Sequence, residues 1–360
     1  MGDKTGIQWT DATWNPIRGC SRVSPGCGGP GKAGGCYAEV IAARFSGPGM
    51  AFEGFAKRVN GEARWTGKMA LVESALMLPL RWKKPRRIFV NSMSDLFHEN
   101  LPDEAIDKVF AVMALCPQHT FQVLTKRPER MRKYMLPTTD IPIMGRLPLE
   151  RVHLAAAGDI DGKEWGEIAR LAKDDNLYSL YLYKAWPLPN VWLGVSVEDQ
   201  TRADERIPLL LDTPAAKRFL SCEPLLGPVD LSRVRERIAA ESHVTFDALS
   251  HPDTLNRGTC RQGVDWVIVG GESGPGSRPF NVSWARAIVD QCRDAGVACF
   301  VKQLGRRPYW DLLNGCGKWQ ELTRIDLDGK QVDAITLKDK KGGDMAEWAE
   351  DLRVREMPEQ

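Results

Sequence analysis

No apolar run in this chain is long enough to cross a bilayer. Its most hydrophobic stretches, Val109 to Cys116 and Trp266 to Val269, fall far short of the roughly 18 residues a spanning helix requires. A dominant charge is also missing. Forty-nine basic side chains oppose 47 acidic ones, for a net charge of +2, so no long-range field draws in nucleic acid or an anionic membrane. Any such contact must come from a local patch. No leader pattern is evident, because Met1 runs into the polar Gly2-Asp3-Lys4-Thr5, and a cytoplasmic protein is expected. Internal repeats and low-complexity tracts are absent. The cysteines lack the even number that a disulfide framework would need: there are nine over 360 residues, which turns attention to metal, catalysis or core packing. What remains is ordinary globular composition, 43% hydrophobic and 27% charged, and this excludes disorder.

Short apolar runs alternate with helix-like segments. Arg87 to Val90 precedes Asp103 to Leu115, where Ile106, Val109, Phe110 and Met113 recur at helical spacing. Phe121 to Leu124 precedes a basic stretch ending at Met135, and Val191 to Val195 precedes Arg202 to Leu211. Arg218 to Leu220 follows, then Trp266 to Val269 with a helix from Ser283 to Ala295, and Cys299 to Val301 closes the series. Lys68 to Glu73 and Ile7 to Ile17 are further strand candidates. This alternation predicts an α/β fold with a parallel sheet. Six to eight such units favour a TIM-barrel-like arrangement, complete or partial, and a doubly wound open sheet remains the alternative. Residues 138–189, with a helix near Glu164 to Lys173, read as one insertion. The polar, irregular residues 232–263 read as another, and 305–360 as a polar C-terminal extension.

Polar residues stand immediately after the buried runs. Asn91, Ser94 and Asp95 follow the first, and Thr125, Lys126 and Arg127 the next. Ser196 and Glu198, Cys222 and Glu223, then Gly270, Gly271 and Glu272, and finally Lys302 and Gln303, follow the others. In a parallel barrel these all share the C-terminal rim, where active sites are built. Strand ends facing water would also be polar, but that alone does not put Lys, Glu, Ser and Asn after six buried runs. Gly270 and Gly271 would let backbone N–H groups approach a ligand.

Three cysteines are grouped. Trp14-Asn15-Pro16-Ile17-Arg18-Gly19-Cys20 leads to Cys27, then to Cys36-Tyr37-Ala38, a C-x6-C-x8-C spacing rich in Gly, Pro and Ser. Three thiolates can hold three irons of a [4Fe-4S] cluster and leave the fourth open. Structural zinc usually takes four protein ligands, and no fourth Cys or His lies nearby. Spacing alone leaves cluster, zinc and no metal open. The other six cysteines are scattered singly and suit core positions.

These residues resemble the cluster motif of radical S-adenosylmethionine enzymes, most closely the branch containing spore photoproduct lyase. Ser94-Asp95 and Leu124-Thr125-Lys126 are similar to that branch's Thr-Asp and Thr-Lys, and Val195-Ser196-Val197 and Glu223-Pro224 fall in comparable places. Over most of residues 5–304, and again over 348–358, the chain also resembles an uncharacterised, phage-associated family with a three-cysteine motif. Its marks here include Asn91 to Phe97, Leu124 to Pro128, Gly194 to Glu198, Glu223 to Pro228, Gly270 to Gly274 and Lys302-Gln303. The resemblance implies a β/α barrel of the radical SAM type over 1–304, carrying the two insertions and followed by the extension 305–360. It implies a [4Fe-4S] cluster on Cys20, Cys27 and Cys36, S-adenosyl-L-methionine chelated at the open iron, and an electron donor of flavodoxin or ferredoxin type. Reduction would then yield methionine and a 5′-deoxyadenosyl radical that abstracts hydrogen from a substrate. In one respect the chain departs from that pattern: eight residues, not two, separate Cys27 from Cys36. A glycine-rich bulge accommodates them at little entropic cost; loss of cluster binding is the other reading.

On this resemblance Asn91, Ser94, Asp95 and Lys126 are candidates to hold the cofactor. Ser196, Glu198, Glu223, Glu272 and Lys302 are candidates for cofactor or substrate, and Cys222 either donates a hydrogen atom or is a structural thiol. A nucleic-acid or nucleoside substrate is suggested by the branch and by two basic clusters, Arg81 to Arg87 and Lys126 to Lys133, for which a solvated surface is the plain alternative. Three classes stand: a radical enzyme, a zinc-bearing or metal-free nucleic-acid-binding protein with a degenerate site, and a phage-derived interaction protein.

Overall fold

The computed structural model describes residues 5–28, 35–136, 152, 186–239, 242–251, 262–274, 276–310, 322–327 and 330–359. Among them the elements run β1 (Ala12–Trp14), β2 (Ile17–Arg18), α1 (Tyr37–Arg44), β3 (Ala56–Val59), β4 (Glu62–Trp65), β5 (Ala70–Leu71), α2 (Glu73–Leu76), β6 (Arg87–Val90), α3 (Asp103–Ala114), β7 (Thr120–Thr125) and α4 (Pro128–Met135). The series continues with β8 (Val191–Ser196), α5 (Gln200–Leu211), β9 (Lys217–Cys222), β10 (Val234–Arg237), β11 (His243–Phe246), β12 (Trp266–Gly270), β13 (Phe280–Asn281), α6 (Val282–Ala295), β14 (Ala298–Gln303), β15 (Pro308–Trp310), β16 (Leu322–Leu327) and β17 (Lys330–Ile335).

Seven strands form the main parallel sheet in the order β1-β6-β7-β8-β9-β12-β14. This order never reverses along the chain. A doubly wound sheet must reverse where its two halves meet, so the winding here is of the barrel kind, and the mixed α/β architecture is compatible with a partial β/α barrel. Six apolar runs that predict strands coincide with β6, β7, β8, β9, β12 and β14 within one or two residues, and β1 is a shorter piece of the candidate Ile7 to Ile17. Their burial explains the match: β8 and β12 are buried at every position, as strands covered on both faces must be.

The chain divides into two compact units, one comprising residues 1–21, 38–194 and 212–217, the other 22–37, 195–211 and 218–360. In the first, Trp14 stacks at a tilt on Phe121, with ring centroids 5.7 Å apart, and its indole N–H donates to the Ala75 carbonyl at 2.8 Å. Helix α3 buries Ile106, Val109, Phe110 and Met113, the stripe its periodicity predicts. Beyond its C-terminal end, the Asn190 side-chain amide donates to the carbonyls of Met113, Cys116 and His119, tying the start of β8 to the turn that follows the helix. Two small pairings lie outside the main sheet. Strand β5, expected as a sheet strand within Lys68 to Glu73, instead pairs antiparallel with β2. The hairpin of β3 and β4 turns on Asn60 and Gly61, both at positive φ (51° and 80°), the conformation a two-residue turn requires and Asn-Gly provides.

In the second unit, α6 starts at Asn281, whose side chain accepts from Ser283 N, and stops at Gly296 in the left-handed region. Residues 232–263 contain a regular antiparallel hairpin, β10 with β11, where the sequence suggests irregular loop. The extension beyond residue 304 adds β15, β17 and β16 to β13 in a four-stranded sheet. Its last residues lie antiparallel along β14, the end strand of the main sheet: Val301 N donates to Val354 O and Glu356 N to Cys299 O. The tail thereby satisfies backbone groups that an end strand would leave open. The predicted helix near Glu164 to Lys173 lies outside the described residues.

Candidate functional site

In the first unit the segment after β1 is bound to the residues that follow β6. Asn91, at φ 60°, accepts from Ile17 N through its side chain, and Ser94 Oγ donates to Ile17 O at 3.0 Å. Gly19 bridges Ser94 in parallel fashion. Its φ is 95°, and a Cβ there would lie 1.8 Å from the Lys68 carbonyl oxygen, so only glycine fits. Cys20 is thus delivered to the C-terminal ends of β1 and β6.

The next layer centres on Arg127, which is buried. Its guanidinium donates to Asp95 Oδ2 at 3.0 Å, to Glu99 Oε2 at 2.6 Å, and to both the carbonyl and hydroxyl of Ser21. Asp95 is saturated: it also accepts from Thr125 Oγ1 (2.7 Å), Phe97 N and Lys126 N. Cys20 Sγ donates to the Ser21 carbonyl at 3.5 Å, the same oxygen that accepts from Arg127. Partial burial opposes ionisation of Glu99, yet the Arg127 hydrogen bond and charge outweigh it and hold that carboxyl at about 2. His98, with no exposed side-chain surface, accepts from Asn100 N at Nδ1. Nδ1 therefore carries no proton, and Nε2–H donates to Ser21 Oγ at 2.8 Å. Burial, with Arg127 beside it, lowers the His98 pKa and keeps the ring neutral. In this tautomer His98 is not a base toward Ser21, and the pair is scaffolding for the residue after Cys20.

In the second unit Glu198 has no exposed side-chain surface. Arg206 Nη1 donates both to Glu198 Oε2 and to the carbonyl of Ser196, each at 2.8 Å. Ser24 Oγ donates to Glu198 Oε1. Glu223 Oε1 accepts from Lys302 Nζ at 2.6 Å and from Gln303 Nε2 at 3.2 Å, uniting the ends of β9 and β14. A Cβ on Gly270 would meet Glu223 at 3.5 Å, whereas one on Gly271 would come within 2.9 Å of the Phe280 ring and 2.8 Å of Leu304 O. The requirement for glycine at 271 is therefore one of packing. Glu272 forms a two-pronged pair with Arg278, whose Nη1 reaches the Pro25 carbonyl at 2.8 Å. Cys27 closes a short turn through Cys27 N to Ser24 O, and Cys36 N donates to Cys27 O at 3.2 Å. Cys222 is fully buried, and burial pushes its thiol pKa up, with Cys299 and Glu198 adding to the shift. Of its two readings, that environment favours the structural one.

None of the seven described cysteines forms a disulfide; Cys20, Cys27 and Cys36 are partly exposed, the other four buried. Cys260 and Cys316 lie outside the described residues. Among the described residues no group of three or more His, Cys, Asp or Glu side chains stands ready as a metal site. The fit to a thiolate-ligated group rests on donor chemistry: reduced thiols open to solvent, one sharing a carbonyl with a guanidinium. Sequence reasoning misses Arg206, Arg278, Ser24 and His98, since a partner eight, six, 174 or 77 residues away leaves no local pattern. The second basic cluster is largely neutralised, with Arg127 held as above, Arg130 paired with Asp103 and Arg132 with Asp212. In the first, Arg87 pairs with Asp11 and Arg86 lies over Trp82.

Fold and site together define a mixed α/β protein with a sequentially wound parallel sheet, whose strand ends carry carboxylates fastened to basic side chains. The chain belongs to the DUF5131 family, described as a protein of unknown function, whose model matches residues 4–338. No curated protein and no solved structure matches it. No helix among the described residues is long and apolar enough to cross a membrane.

Proposed function

We propose that this chain is an iron–sulfur enzyme of the radical S-adenosylmethionine type, with Cys20, Cys27 and Cys36 as cluster ligands. Cys20 carries the reading: a partly exposed thiol at the C-terminal ends of two parallel strands, sharing the Ser21 carbonyl with the buried guanidinium of Arg127. That location is where barrel-type sheets place their chemistry. The Cys-x6-Cys-x8-Cys spacing and the likeness to radical enzymes support it further. When bound, a [4Fe-4S] cluster with S-adenosyl-L-methionine supplies a 5′-deoxyadenosyl radical for hydrogen abstraction.

The chain's own residues would orient and shield. Asp95 positions Arg127, and Arg127 positions Ser21 next to Cys20. Glu223 and Lys302 present opposite charges at one rim, matched to the aminium and carboxylate of an amino-acid group. Asn91 and Ser94 shape the approach of the cysteine segment, and Cys222 stays in the core. Such chemistry calls for a flavodoxin- or ferredoxin-type electron donor. Nucleic acid as substrate draws support only from exposed Arg81, Lys83 and Lys84, which precede β6 and so lie at its opposite end from Asn91.

Anaerobic purification with iron, sulfide and absorbance analysis tests the reading. Close to four irons per chain are expected, with loss on combined Cys20→Ala, Cys27→Ala and Cys36→Ala substitution, and 5′-deoxyadenosine on addition of dithionite and S-adenosyl-L-methionine. One equivalent of zinc without iron, or unchanged iron in the triple variant, would overturn it.

A further inference from the structure

We infer that Glu198 and Glu272 act on the cysteine loop, as the anchors of two clamps: Glu198 through Ser24, and Glu272 through Arg278 to the Pro25 carbonyl. The role of these four as positioning residues for Cys27 and Cys36 rests on the reading of those cysteines as ligands. Glu198 is the stronger case. Its carboxylate is wholly buried, one oxygen held by Arg206 and the other by Ser24. A Cβ on Gly26 would lie 2.1 Å from Glu198 Oε1 and 2.5 Å from its Cγ. A flexible acid could swing away from such an intrusion; this one is pinned by the Arg206 pair and cannot. The loop backbone therefore rests directly on the carboxylate, with glycine required at 26 because nothing larger leaves the contact intact.

The second clamp reaches the same turn from another strand end. Arg278 is fixed by Glu272 on two of its nitrogens and on its own backbone N–H, and its remaining arm donates to Pro25 O at 2.8 Å. Ser24, Pro25 and Gly26 are thus each held, one after another, immediately before Cys27. The restraint passes on: Cys27 N donates to Ser24 O, and Cys36 N to Cys27 O. Both ends of the glycine-rich segment between Cys27 and Cys36 are consequently tied to one turn, and the eight-residue spacing need not loosen either cysteine.

Thiol alkylation in the reduced, metal-free full chain reads the clamps without reference to any cluster. Iodoacetamide modification of each cysteine peptide is followed by mass spectrometry in Ser24→Ala, Gly26→Ala and Arg278→Met, with Ser24→Thr as the conservative control. Removing a hydrogen bond to a charged group should speed modification of Cys27 about tenfold. Cys20 should keep its rate, and Ser24→Thr should restore both the rate of Cys27 and the thermal midpoint of the unaltered chain. Cys27 rates within twofold of the unaltered chain in all three variants would overturn the inference, as would equal acceleration at Cys20 and the buried cysteines. Iron content is measured in parallel on the unaltered chain. Its absence there would sink the cluster reading while leaving the alkylation result to decide the clamps; iron with unchanged alkylation would do the reverse.

Discussion

At the scale of single residues, Arg127 holds the most together. It joins Asp95, Glu99 and Ser21, and its removal would leave the Asp95 carboxylate buried with no counter-charge. Arg127→Ala should therefore lower stability by about 3–5 kcal/mol, read from urea unfolding. Glu99→Gln should cost less than about 1 kcal/mol, because Glu99 is 57% exposed and solvent screens the pair. The low Glu99 pKa sets the sign of its pH dependence: its contribution is present above about 4.5 and is lost as pH falls through about 2. His98 behaves oppositely in range. Its folded pKa is lowered by burial, with Arg127 and Arg130 also opposing its charge while Glu99 and Asp95 favour it. The unfolded chain therefore binds a proton that the folded chain resists, and stability declines as pH falls below 6.5. Buried His119 shares this direction. Urea midpoints between pH 7.5 and 5.5 should fall, and His98→Gln should flatten that slope by up to about 1.4 kcal/mol per pH unit.

At the scale of elements, the C-terminal tail is the least expected structural part. The sequence reads residues 305–360 as a polar extension; within it Trp348 and Leu352 are buried and the backbone from Val354 to Glu356 pairs with β14. Trp266 adds an indole N–H to the Glu356 carbonyl. Deleting residues 348–360 should expose the end strand and promote self-association, visible by light scattering. Trp348→Ala alone should remove about 3–5 kcal/mol of stability, with intact secondary structure by circular dichroism. Unchanged unfolding midpoints would show that the tail merely rests on the sheet.

For the whole molecule, winding matters more than strand count. A parallel sheet wound in chain order puts the residues after β1, β6 and β7 of the first unit at the C-terminal edge of their strands, and those after β9, β12 and β14 likewise in the second. The same order sets the exposed Lys83 and Lys84 at the N-terminal end of β6, away from that edge. With a net charge of +2, the polyanion affinity of this chain should be weak, and those lysines should contribute to it. Lys83→Ala with Lys84→Ala should weaken any salt-sensitive retention on heparin, while Arg130→Ala should change it less because Arg130 is already paired with Asp103.

Strands buried on both faces are legible because uninterrupted β-branched and aromatic runs have few other places to go, and α3 is legible because its apolar stripe recurs at helical spacing. The Asn60-Gly61 hairpin is written in the sequence as well, since that pair meets the turn's demand for positive φ. Cys20, Cys27 and Cys36 stand out by spacing and by the likeness they carry. What tertiary structure alone decides is the use of each polar residue. Asp95, Glu198 and Glu272 stand after strands like any ligand-binding acid, but the basic partner each meets in the fold, 32, eight and six residues along the chain, determines whether a carboxylate faces a ligand or holds a guanidinium. Those partners, Arg127, Arg206 and Arg278, are selected by proximity in space, and burial turns each pairing from an option into a requirement, because an unpaired buried charge is too costly to keep.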